Sequence, residues 1–340
     1  MNIGLIANGE AGSSCRTKLN SVITAVNDVV SDVFTWHFTG VLPLGFPPII
    51  QVDCTGGQAD ILGVSGSIPV TPFDGVCTQT TFSFTDPVGG LTSLTFDNLA
   101  GMVGGANFSP ASASAITSIS LPKLAYVSGS FNASTMASLT TLSIPVLAYA
   151  AQFSPASMNS LTTLSAPELV YAGGFLPATM SALTTFYFPL LRSVPGTFSP
   201  NTMGSLTTVS LPSLVYVGGN ASLATMASLT TANFPAMIQW GGTIAMNTGL
   251  GKLADVTLGT VGTLKVITGA TTNISGQKLT AASVNAILAL LVSLDGTNGT
   301  TLWGSGKTVN VSGGTSSAPT GQGIVDKATL VARGATVTTN

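Results

Sequence analysis

The stretch LTTLSIPVLAYAAQFSPASMNS, residues 139–160, decides the fold, because the chain repeats it. Outward from it lie ITSISLPKLAYVSGSFNASTMAS from Ile116, LTTLSAPELVYAGGFLPATMSA from Leu161 and LTTFYFPLLRSVPGTFSPNTMGS from Leu183. LTTVSLPSLVYVGGNASLATMAS from Leu206, LTTANFPAMIQWGG from Leu229 and a looser copy from Leu91 complete the set. The starts are 25, 23, 22, 22, 23 and 23 residues apart. A period of this size is too short for a helix pair and fits one strand-containing coil of a solenoid.

Within one copy, Val209/Leu211 and Leu214/Tyr216 alternate with period two, which predicts two short extended segments, each showing one face to a core. A proline recurs at positions 122, 145, 167, 189, 212 and 235. It has no N–H to give to a ladder, so it belongs at a strand end or bulge. The Gly173-Gly174 and Gly218-Gly219 pairs suit a corner. Phe131, Phe153, Phe175 and Phe198 return in register, as do Met136, Met158, Met180, Met203 and Met226. No single coil can bury its own apolar face, so these columns are read as internal stacks, one residue per coil. At roughly 4.8 Å per rung, seven coils give a body on the order of 30 Å long.

This frame resembles the class of leucine-rich repeats found in bacterial surface proteins, with a coil of about 23 residues. That coil reads L-x-x-L-x-L-P, then a glycine-containing turn, a phenylalanine, and a cysteine three residues before the next leucine. Leu139, Leu142, Ile144, Pro145, Phe153 and Met158 match it, with Met158 in the cysteine position. The resemblance covers residues 91–250. It implies a curved solenoid used in adhesion or binding, and no enzyme.

Only 6% of the 340 residues are charged, where about a quarter is usual. Between Lys123 and Lys252 the only charged side chains are Glu168 and Arg192. A surface this poor in charge favours association, so a homo-oligomer is expected. A net charge of −2 without a basic run excludes a nucleic-acid groove. No apolar stretch reaches membrane-spanning length, and residues 1–20 lack the basic start and apolar run of a secretion signal. The expected route out of the cell is therefore another one, such as departure with a particle.

The segment IGLIANGEAGSSCRTKLN, residues 3–20, reads as a glycine-containing turn before a short helix bearing Leu19, Val22, Ile23 and Val26. It resembles the N-G-E-x-G-x-x-x-R-x-K-L-N segment near the start of tail-fibre and other virion proteins of tailed bacteriophages. Asn8, Gly9, Glu10, Gly12, Arg16, Lys18, Leu19 and Asn20 match it, and the resemblance gives them the role of virion attachment. A second resemblance lies at the other end. KLTAASVNAILALLVS (278–293), VNVSGGTSSAPTGQGI (309–324), DKATLVARG (326–334) and VTTN (337–340) look like a terminal module of phage structural proteins. In it, a helix, the S-G-G-T strand end, the A-P-x-G-x-G loop and a short helix pack together.

Four parts are expected: a virion attachment segment and short helix (1–30), a β-rich connector domain (31–90), the leucine-rich-like solenoid (91–250), and a C-terminal cap (251–340). The cap contains a helix over about 280–293, with Thr280 as N-cap. The fold class is mostly β. In the connector, His37 sits between Trp36 and Phe38 in an alternating aromatic strand and is read as structural. Cys54 and Cys77 fit no metal or redox spacing and Cys15 is odd; two or three free cysteines are expected, with a Cys54–Cys77 pair as the alternative.

No cofactor or metal is expected. Gly304-Ser-Gly-Lys-Thr308 ends like a phosphate loop, but Thr301 stands where its first glycine is required. Glu168 is alone in the repeats, without the second acid of a glycosidase. Asn132, Asn220 and Asn310 open glycan-acceptor tripeptides, which carry no meaning in a bacterial or viral setting. Tyr126, Tyr149, Tyr171, Tyr216 and Trp240 are candidate exposed contacts, although their periodic placement favours core packing.

The expected function is that of a non-enzymatic phage virion structural or fibre protein on the exposed particle surface. Its expected partners are further copies, other virion proteins and a host-surface glycan or protein. The alternatives are a bacterial surface adhesin, placed outside the cell or on its surface, and a self-assembling extracellular filament subunit.

Overall fold

The computed structural model describes residues 115–340 without a break, and before them short strands between residues 36 and 110. It is a mostly β protein built as a parallel solenoid of about seven regular coils, with two helices in the described residues. Each coil has three sides. The first carries a three-residue strand such as Thr141–Ser143, with Leu142 buried between an exposed Thr141 and a half-buried Ser143. The second begins at the tyrosine column, and the third at the phenylalanine column.

The proline column explains the first corner. Leu147 N–H donates to Ile144 O at 3.4 Å and Leu214 N–H to Leu211 O at 3.3 Å. Pro145 and Pro212 thus stand second in a four-residue turn, where the ring's fixed φ suits the bend and no donor is lost. The turn also resets the alternation. Leu211, Leu214 and Val217 point inward while Tyr216 points outward, so Tyr216 does not share the core face of Leu214.

On the third side the phenylalanines form a continuous buried stack. Phe108, Phe131, Phe153, Phe175 and Phe198 stand 5.2 to 5.5 Å apart, with planes within 9° to 13° of parallel. The methionine column is also fully buried and starts the last turn, as where Leu161 N–H donates to Met158 O at 3.2 Å. Just before each methionine the chain passes through the left-handed region at Thr135, Ser157, Thr179, Thr202 and Thr225, with φ between 54° and 60°. A β-branched threonine in this conformation is strained. At Gly241 the coils approach so closely that a Cβ there would overlap the Gly218 backbone below it. The double glycines therefore serve close coil-to-coil approach as much as the corner.

Parallel strand pairing runs across both expected boundaries. The strands Gly66–Val70, Gly75–Cys77 and Thr81–Thr85 stack in parallel on Leu91–Phe96, Leu99–Met102 and Asn107–Pro110. The strands described before residue 91 thus pair in register with those of the solenoid. Trp36–His37 pairs with Ala59–Asp60, which pairs in turn with Thr81–Thr85. At the other end the third-side sheet runs on through Ile244–Thr248, Thr271–Asn273, Thr308–Asn310 and Thr336–Thr338. What changes after residue 257 is the first side, where helices take the place of strands.

Helix α1, Ala281–Val292, is the first of these. Thr280 caps it, accepting from Ser283 N–H at 3.1 Å. Ser283 Oγ accepts from Val256 N–H at 2.9 Å, which ties the helix to the last first-side strand, Asp255–Thr257. Val284, Ile287, Leu288 and Leu291 are buried against the stack end. Helix α2, Gln322–Ala332, packs on α1 one coil further out. The junction is made by Asn285, whose amide side chain bonds the Thr320 backbone on both sides, and by Arg333, which donates to Val292 O at 2.8 Å.

Candidate functional site

Three kinds of side chain reach the solvent from this scaffold. On the first side, strand residues i and i+2 form two columns of mostly hydroxyl groups: Thr141 and Ser143, Thr163 and Ser165, Thr208 and Ser210. The preceding threonines are engaged within the fold. Thr140 Oγ1 donates to Thr117 O at 3.0 Å and Thr230 Oγ1 to Thr207 O at 3.1 Å, each fastening one coil to the one before. The hydroxyls of Thr141, Thr163, Thr185 and Thr208 make no hydrogen bond to described residues and are available to a ligand.

The second side carries the tyrosines. Tyr126, Tyr149 and Tyr171 form an outward stack with centroid spacings of 4.5 and 4.7 Å. Core packing, which their periodicity favoured, is therefore overturned for this column. The buried column is its neighbour, Val127, Ala150, Ala172, Val194 and Val217. Tyr216 is half-buried in the same outward column, but Ser193 separates it from Tyr171. Its ring leans back so that its hydroxyl lies over Gly218.

Trp240 is not an exposed contact. Its register partner is Val217, so it falls in the inward column while Gln239 takes the tyrosine position. It is fully buried, and its indole N–H donates to Leu258 O at 2.7 Å.

The third feature is a departure from the repeat, concentrated in the coil from Leu183. Where the other copies place a serine, threonine or asparagine, this one has Tyr187; where its neighbours have valine it has Arg192; and between them Leu190 fills a turn position that varies in every copy. Tyr187 is 52% exposed and Leu190 44%, and Arg192 is exposed as well. These three bracket Pro189 at one corner, beside the exposed Val170 and the open end of the tyrosine stack. Tyrosine and arginine are the side chains that most often dominate binding energy at protein surfaces. Reading the repeats for their common frame passes over this cluster. A comparison of the copies at solvent positions alone finds it.

No family model, curated protein or solved structure matches this chain. Its surface chemistry has to be read from its own residues.

The phosphate-loop likeness fails on geometry. Gly304 to Thr308 leads into the strand Thr308–Asn310, so no helix N-terminus faces the loop. Lys307 is held by the Ile267, Thr268 and Gly269 carbonyls at 3.2, 2.6 and 3.1 Å, and its partial burial lowers its pKa. Glu168 is exposed on a corner. Among the described residues, no three His, Cys, Asp or Glu side chains gather as a metal site, and no helix is long and apolar enough to cross a membrane. The attachment residues Asn8, Gly9, Glu10, Gly12, Arg16, Lys18, Leu19 and Asn20, the helix expected around Leu19 to Val26, Cys15 and Cys54 lie outside the described residues.

Proposed function

We propose that this chain is a non-enzymatic structural protein of a bacteriophage particle, a fibre or surface component that holds a recognition patch on a rigid stack. The observation that carries the reading is the placement of variation. The repeats keep the core and the hydroxyl columns nearly constant, while Tyr187 and Arg192 break the frame at one exposed corner, on either side of Leu190 in a turn position that varies from copy to copy. Aromatic, aliphatic and guanidinium groups side by side suit a host-surface glycan or protein. Stacking and bidentate hydrogen bonding are then available beside the free threonine hydroxyls of the first side. The likeness of residues 8–20 to phage attachment segments supports the particle as the place of work.

The test has two arms. Gold-labelled antibody against this chain should decorate phage particles in a lysate from the culture that carries the sequence. Label only on cell surfaces would favour a bacterial adhesin instead. Tyr187→Ala with Arg192→Ala should abolish adsorption of the purified protein to host cells while the far-ultraviolet circular dichroism stays unchanged. Undiminished adsorption would remove the patch from the reading.

A further inference from the structure

In the rung formed by α2 and Thr336–Thr338 the helix turns its apolar side away from the stack. The side of α2 that meets α1 bears Gly323, Asp326 and Leu330, all buried. Gly323 lies against the Asn285 side chain, and Asp326 is satisfied by Gln322 Nε2 at 2.9 Å. The opposite side bears Ile324, Val325, Ala328, Val331 and Ala332, and all five are exposed. At 3.6 residues per turn they form one apolar stripe over roughly a third of the circumference. Ile324, Val325 and Val331 stand 58%, 54% and 51% exposed. A repeat stack ordinarily buries such a stripe against a neighbouring unit, and among the described residues this one has none.

The strand of the same rung is equally open. Thr336–Thr338 pairs on its inner side with Thr308–Asn310 and, among the described residues, on its outer side with no strand. Thr336 N–H donates to Lys307 O at 2.9 Å, and Thr338 O accepts from Val311 N–H at 3.0 Å. Backbone groups alternate in direction along a strand, so the Val337 N–H and C=O point outward. The inner neighbours of this rung, α1 and Thr308–Asn310, belong to one preceding coil. The stripe and the open strand edge therefore face the same way, along the solenoid axis.

We propose that this end is the contact between two copies of the chain, joined tail to tail about a two-fold axis. The argument for a second copy is self-complementarity. Val337 offers one donor and one acceptor, and in an antiparallel pair a residue facing its own symmetry mate exchanges both bonds with it. The same rotation brings each α2 stripe over the other copy's end face. The charged side chains of this rung do not obstruct the closure. Arg333 is engaged by the Val292 and Leu294 carbonyls, Lys327 Nζ donates to Thr339 Oγ1 at 2.8 Å, and Asp326 is buried. The contact is closed, so it makes pairs and not open filaments. It leaves the Tyr187 corner free, and it stands or falls independently of the particle reading.

The test is the mass of the full chain by light scattering across a wide range of concentration, for the wild type and Val331→Glu. The wild type should be a dimer, and the variant should fall to monomer mass with its far-ultraviolet circular dichroism unchanged. As a second variant, Ala328→Cys, placed mid-stripe, should form a disulfide-linked dimer under mild oxidation where the wild type does not. A wild type that stays monomeric, a dimer indifferent to Val331→Glu, or open-ended rods in electron micrographs would each overturn the proposal.

Discussion

Tyr149 and Tyr171 lie face to face on the solvent side of successive coils, with centroids 4.7 Å apart and planes 2° from parallel. Tyr126 continues the stack below. The middle ring is enclosed by the other two, and its phenol is raised above the ordinary value. Desolvation is the leading cause, followed by repulsion from Tyr126 and Tyr171 and the hydrogen bond with Tyr126. A phenol that ionises later in the folded state than in the unfolded one contributes stability that is complete below about pH 10 and lost as pH rises through the folded value. Phenolate difference absorbance should therefore show Tyr149 titrating late. In Tyr126→Phe it should titrate earlier, but still above an exposed tyrosine, because desolvation remains.

The left-handed threonines should respond in the opposite direction from most substitutions. Thr179 has φ 56° and no side-chain hydrogen bond to described residues. A residue of its type in that region costs about 1–2 kcal/mol. Thr179→Asn should raise the thermal midpoint, and Thr179→Gly should gain less because glycine adds freedom to the unfolded chain. A fall in both variants would show that the column's side chains hold something that its backbone geometry does not reveal.

Two buried tryptophans form a matched pair for measuring one hydrogen bond. The Trp240 indole N–H has its partner in Leu258 O, whereas the buried Trp303 Nε1 has none among the described residues. Exchange for phenylalanine removes similar volume at both sites, but it breaks a bond only at the first. Trp240→Phe should be more destabilising than Trp303→Phe by about 1–3 kcal/mol in denaturant unfolding. Equal losses would mean that packing alone sets the cost.

Core and repeat are legible in the sequence because a stacked coil must return the same residue to the same depth. Recurrence alone places Phe153 and Met158 inside. The outward facing of Tyr149 and Tyr216 escapes it, because period-two counting from Leu214 runs through the turn after Pro212, where parity resets. Trp240 packs in the core, as its periodic placement favours, because it falls one position past the tyrosine column, in the valine column. The expected boundaries near residues 90 and 250 fall where the consensus fades. Hydrogen bonding between coils needs only backbone, however, so Thr81–Thr85 and Thr308–Asn310 join the stack without sharing the motif. The corner of Tyr187, Leu190 and Arg192 is hidden by what recurs around it.

The strands of every coil lie across the long axis, so the bonds between coils run along it. A pull on the two ends of the molecule therefore loads one coil's bonds at a time, in the manner of a zip rather than a rope. The stack should unwind under tension in steps of 22 or 23 residues, each adding roughly 70–80 Å of free chain. Coils not yet reached stay intact, and each released coil finds its template still in place when the load falls. A stack built this way yields by lengthening before it breaks.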